Sequence, residues 1–160
     1  MKKMNRRSNT SGEGLVIVII LLVLIGGGLW WLVSNKKAVD KEARAFGRDI
    51  ITRMTVNHDG AFFATHLSPQ AKLDLPLMQQ NELMNQLQQL GTPAQPIQID
   101  ENITWESIMG VKWLSFFEPR GFFTAHLNYP AGPATLEIAF DRPASKWQLL
   151  NITFNPPRGR

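Results

Sequence analysis

Residues 122–154 read FFTAHLNYPAGPATLEIAFDRPASKWQLLNITF, and the fold turns on how this stretch divides. Apolar and polar side chains alternate over 122–129, 135–140 and 147–154, the period-2 signature of strands with one face against a core. Between them stand Pro130-Ala131-Gly132-Pro133 and Asp141-Arg142-Pro143-Ala144-Ser145, both of which are turn chemistry. Connections this short join antiparallel neighbours, so the stretch predicts a meander. Upstream, Ile97, Ile99, Ile103 and Trp105 alternate in a further strand. Residues 111–117 read as another, joined to 122–129 by Glu118-Pro119-Arg120-Gly121, a turn with its tip at Pro119 and Arg120. The expectation is a bent antiparallel sheet of four or five strands.

Before residue 96 the period changes to 3.6. Val39, Ala43, Phe46, Ile50 and Met54 draw one apolar stripe on a helix of about 20 residues. Asp59-Gly60 breaks it, and 61–67 forms a short apolar turn of helix. Ser68 then caps a new start, with Pro69 in the first-turn position that proline favours. A last helix spans about 76–90, with Leu77, Leu83, Met84, Leu87 and Leu90 on one side and Gly91 and Pro93 closing it. Its other face carries Gln79, Gln80, Asn81, Gln86, Gln88 and Gln89, with Glu82 the one charge. An amide face is a solvated surface or a contact surface, the latter because buried amides cost less than buried charges. Two or three helices on one face of a meander make an α+β domain over 34–155, followed by a loose tail at 156–160.

The N-terminal segment is of another kind. Residues 15–33, LVIVIILLVLIGGGLWWLV, hold 19 residues without a charge, which as a helix reach across most of a bilayer core about 30 Å thick. Hydrophobicity resumes after the glycines and no A-x-A triplet follows, so an uncleaved signal anchor is expected rather than a removed leader. Gly26, Gly27 and Gly28 offer either a smooth surface for close helix packing or a locally flexible stretch. Trp30 and Trp31 suit the headgroup region, and Lys36 and Lys37 follow at the same interface. The flanks carry four Lys or Arg before the span and five in 34–48, nearly a tie. Charge in a short leading tail resists translocation while a long domain is exported regardless, so residues 1–14 are expected in the cytoplasm and the domain in the periplasm of a bacterial inner membrane.

Charge and composition narrow the classes further. Residues 1–36 carry a net charge of +4, and residues 37–160 balance 12 Lys or Arg against 12 Asp or Glu. The basic character thus belongs to the tail, and nucleic acid is not an expected partner of the domain. With no cysteine, disulfides, thiolate metal sites and cysteine nucleophiles are excluded.

The element order, the helix start LSPQAK at 67–72, Asn128-Tyr129-Pro130 and the closing strand WQLLNITF at 147–154 together resemble the cystatin-like alpha+beta cone of the nuclear-transport-factor-2-like superfamily, over about residues 38–155. That superfamily includes steroid isomerases, dehydratases, transport factors and membrane-anchored periplasmic scaffolds of secretion machines, so the resemblance implies a fold and leaves the activity open.

An enzyme similar to the isomerases would hold an acid or base inside the cone. The candidates are His58, His66, His126, Asp59, Asp100 and the single Tyr129. Strand alternation puts His126 and Tyr129 on opposite faces, and His58 and His66 have no carboxylate at a metal-ligand spacing from both. No nucleotide-binding, nucleophile-elbow or zinc-protease motif is present. No catalytic residue, metal or cofactor is therefore expected. The segment 116–123, FFEPRGFF, is more informative: with the tip at Pro119-Arg120, Phe117 faces Phe122 and Phe116 faces Phe123, one pair on each side of the sheet. The outward pair, joined by Trp113, needs cover from a partner chain or a lipid surface or else stays an exposed patch, unless the cone curls enough to bury both sides. The expectation is a non-catalytic, membrane-anchored accessory or scaffold subunit that docks on a larger respiratory, photosynthetic or secretory complex. Its rival is an anchored enzyme or carrier that uses the cone as a pocket for a small apolar ligand.

Overall fold

A computed structural model describes residues 10–106 and 118–157. The chain divides into two compact units, Met1–Ala38 and Val39–Arg160. Helix α1 (Thr10–Thr55) contributes to both. No proline interrupts it, and leucine and alanine favour the helical backbone. In the first unit its side chains at 16–31 and 33 are all exposed. It is the one helix among the described residues long and apolar enough to cross a membrane.

In the second unit α1 turns an apolar stripe inward. Val39, Ala43, Ile50, Ile51 and Met54 are buried, as is Gly47, while Phe46, expected on the stripe, is only partly covered. Gly47 is a point of close approach: a Cβ there would lie 2.5 Å from the Phe123 ring and 2.9 Å from Phe140. The glycine lets the helix settle onto the aromatic surface of the sheet.

Three short helices follow. Asp59 caps α2 (Gly60–His66), its carboxylate accepting from the Phe62 N–H at 3.0 Å. Ser68 caps α3 (Pro69–Asp74), its hydroxyl accepting from Ala71 N–H at 3.0 Å, with Pro69 in the first turn. The linking segment is tied to the sheet, since Ser68 N–H donates to the Leu149 carbonyl at 2.8 Å. Helix α4 (Leu77–Leu90) ends at Gly91, whose φ of +79° is the left-handed geometry that glycine supplies. Two expectations for α4 are corrected. Leu77 is 72% exposed, because it sits roughly a quarter turn round the helix from the buried Leu87, at the edge of the covered stripe. Gln80, assigned to the polar face, is buried and donates its amide to the Leu75 carbonyl at 2.7 Å, which satisfies both groups.

The sheet holds four described strands, β1 (Gln98–Glu106), β2 (Glu118–Tyr129), β3 (Gly132–Asp141) and β4 (Gln148–Asn155). They lie in sequence order with every pair antiparallel, a meander. An extra residue bends β4 opposite Ala139/Phe140. The expected strand at 111–117 lies outside the described residues.

The expected turn at Glu118-Pro119-Arg120-Gly121 is overturned. All four residues belong to β2 and pair with β1, as Glu106↔Glu118, Trp105↔Pro119, Thr104↔Arg120 and Ile103↔Gly121. Pro119 is tolerated because it precedes Arg120↔Asp141, the first pair of the β2–β3 ladder. Gly121 is there for space: it lies opposite Phe140, whose ring would stand 2.1 Å from a Cβ. Consequently Phe122 pairs with Asn102 and Ala139, not with Phe117 across a hairpin.

Candidate functional site

Alternation along the strands gives the sheet an inner and an outer face. Inward point Phe123, Ala125, Leu127, Tyr129, Ala134, Leu136, Ile138, Phe140 and Leu149, all buried, and they meet Phe63, Met54 and Leu87 from the helices. Phe140 sits edge-on to Phe123, Phe46 and Trp147 at ring separations of 5.1, 5.3 and 5.7 Å. Aromatic rings occupy the space between the helices and the sheet.

The titratable candidates do not converge. Asp59 is a helix cap that also meets Arg53 at 3.5 Å. His66 Nδ1 lies 2.8 Å from the Phe62 carbonyl, and its ring rests on Phe62 with centroids 4.1 Å apart. His58 takes a left-handed φ of +53° at the turn between α1 and α2. Tyr129 is buried with no hydrogen-bond partner for its hydroxyl among the described residues, and burial pushes its pKa up to about 12. Only Asp100 and His126 come together, at 2.9 Å on the outer face, both well exposed. Among the described residues no group of three His, Asp or Glu gathers to hold a metal ion.

Of the residues expected to meet a partner, Phe123 is corrected: it is 1% exposed and belongs to the core. Phe122 stands on the outer face, 46% exposed, beside a shallow trough lined by Thr124, Glu137, Ala139, Asn151 and Thr153. Trp113, Phe116 and Phe117 lie outside the described residues. The outer face is otherwise polar, with Asp100, Asn102, His126, Asn128 and Asn155 across its strands.

Near the start of the second unit, two basic residues of α1 are engaged within the domain. Arg44 lies 3.6 Å from the Glu101 carboxylate, and Arg48 hydrogen-bonds the same carboxylate. Trp105 Nε1–H donates to Asp40 at 2.9 Å, and Arg142 pairs with Glu42 at 2.9 Å. In the first unit Trp30 and Trp31 are exposed, Lys36 and Lys37 follow them on the exposed surface, and Gly26, Gly27 and Gly28 have open space where a side chain would be.

One surface was underread in the sequence. Leu73, Leu77 and Met78, where α3 gives way to α4, are 75%, 72% and 77% exposed. From Met78 a trough continues along α4, lined by Asn81, Glu82, Asn85, Gln86 and Gln89. The apolar trio could have been suspected from Leu73 and Met78, which fall outside the α4 stripe.

No protein-family model, curated protein or solved structure matches the chain, so the resemblance to the nuclear-transport-factor-2-like superfamily rests on element order and on the short segments that suggested it.

Proposed function

We propose that the protein is a single-pass, membrane-anchored, non-catalytic accessory or scaffold subunit of a larger bacterial inner-membrane complex. Its N-terminus lies in the cytoplasm and its α+β domain in the periplasm. The observation that carries this reading is the run of exposed apolar side chains at 16–25, 29–31 and 33, which nothing among the described residues covers and which water would not tolerate at this length. The binding rather than catalytic role is supported by the interior, whose space is filled by Phe63, Phe123 and Phe140, and by the dispersal of the histidines: His58 at a turn, His66 against Phe62 and His126 hydrogen-bonded to Asp100 on the outer face. A pocket for a small apolar ligand would need that aromatic filling to be absent. The docking surface we assign to Phe122 and its trough, with the anchor holding the domain beside its partner so that a modest contact suffices.

A reporter active only after export, fused behind Arg160, tests the arrangement. Activity there, together with retention of the chain in alkali-washed membranes, supports it. A cytoplasm-only reporter that works at the same position reverses the topology, and release by alkali removes the anchor.

A further inference from the structure

We propose that the trough beside Phe122 receives an arginine side chain of the partner, which rests on the docking reading above. The strand registers lay the trough out as two rows on the outer face. Phe122 pairs with Ala139 and Ala139 with Asn151; two residues along, Thr124 pairs with Glu137 and Glu137 with Thr153. Ala139, the smallest side chain of the six, makes the floor, and the Phe122 ring makes one wall. Glu137 stands diagonally across from Phe122, about 7–8 Å away.

Bonding sets these side chains apart from their neighbours. In the next row of the same face, His126, Thr135 and Asn155, Asn155 Nδ2–H donates to Thr135 at 3.2 Å and His126 meets Asp100 at 2.9 Å. Within the trough, the side chains of Thr124, Glu137, Asn151 and Thr153 hydrogen-bond to nothing among the described residues, and Glu137 meets no Lys or Arg there. The Phe122 ring, 46% exposed, has no aromatic ring or cation against it among the described residues.

A partner that covers the trough must therefore answer a carboxylate. An apolar or acidic side chain would leave that charge desolvated and unpaired, a heavy penalty. A basic one pairs it, and the aromatic wall selects among basic side chains. An ammonium is a compact, strongly hydrated point charge, whereas a guanidinium can lie against the ring and still reach the carboxylate with two N–H groups from one plane. With its stem over Ala139, its remaining donors find acceptors in the Thr124 and Thr153 hydroxyls that flank Glu137.

The test uses the full-length chain at native expression level. A photoreactive residue placed at Thr153 links the trough to whatever covers it, and mass spectrometry reads the linked segment, which should belong to an integral membrane protein and contain an arginine. Glu137→Arg should lower recovery of that protein after gentle detergent extraction several-fold, and Glu137→Gln should lower it less; Glu137 is exposed, so both variants keep the fold. Changing the partner's arginine to glutamate should restore recovery with the Glu137→Arg chain and weaken it with the original. A linked segment without arginine, recovery unchanged by Glu137→Arg, or a charge exchange that fails to restore it would each overturn the proposal. Phe122→Asp separates this from the docking reading. If it removes the partner while Glu137→Arg does not, docking stands and the arginine is refuted; if neither variant changes recovery, the docking surface is misplaced and the proposal falls with it.

Discussion

Gly121→Ala is the substitution that most sharply separates a strand at 118–121 from a turn. A Cβ at this position would lie 2.1, 2.5 and 2.6 Å from three atoms of the Phe140 ring, a distance at which something must move. The ring has little freedom to do so: it is fully buried and packed against the rings of Phe123 and Phe46 at 5.1 and 5.3 Å. The strand must then separate from β3 or the aromatic cluster must repack, and overpacking of this kind costs about 3 kcal/mol. For a domain of this size that lowers Tm by roughly 10 °C. The assay is thermal unfolding of the full chain in mild detergent, followed by tryptophan fluorescence. The reasoning makes a second demand, because the clash is with one ring. Phe140→Leu removes the ring edge, so the double variant Gly121→Ala/Phe140→Leu should be less destabilised than the two single losses combined, by about 1 kcal/mol or more. If Gly121→Ala alone shifts stability by less than about 0.5 kcal/mol, as at an open surface position, the packing of Phe140 over β2 is wrong and the turn returns.

Other consequences follow from single side chains. Tyr129 ionises near pH 10 in the unfolded chain but is held up to about 12 by burial in the fold. Its contribution is therefore fully present below pH 10 and is lost as pH rises from 10 through 12, by roughly 2 kcal/mol. Tyr129→Phe should flatten that alkaline loss in a denaturant series, and an unchanged profile would show that another group is responsible. Ser68→Ala removes the α3 cap and should cost about 1 kcal/mol, read as a shift in urea midpoint at constant slope. Phe122→Asp should leave the fold intact and weaken association with the partner complex, whereas Phe123→Asp buries an unpaired charge and should unfold the domain; the reverse result would invert the faces of the sheet. His58→Ala, His66→Ala and His126→Ala should each preserve cellular function, and loss of function in a folded variant would favour the pocket reading.

Much of this fold is legible locally, and the failures at the two core glycines share one physical cause. The cap at Ser68, the stop at Gly91 and the alternation of 122–129 depend on neighbours a few residues away, so the sequence carries them openly. Gly121 and Gly47 depend instead on Phe140 and Phe123, which lie far off in the chain and reach them only through strand register and helix packing. Beside a proline, a glycine that makes room for a ring is indistinguishable from one that makes a turn. Gln80 differs, since its partner is the nearby Leu75 carbonyl, left free where α3 ends, and a polar residue so paired is not told from a solvated one by its type. The separation of Phe122 from Phe123 was readable from alternation; which of them faces outward required the helices to be in place. Leu77 falls at helical spacing on the α4 stripe, and only the placement of α3 and α4 leaves it exposed beside Leu73 and Met78.

The central claim, that an anchored domain works by holding on to a larger assembly, is tested most directly by gentle detergent extraction of membranes at native expression level, with native-mass analysis of what accompanies the chain. The account predicts co-purification of other integral membrane proteins in fixed proportion, diminished by Phe122→Asp. Recovery of the chain only by itself, whether as a monomer or as a pair, would contradict it.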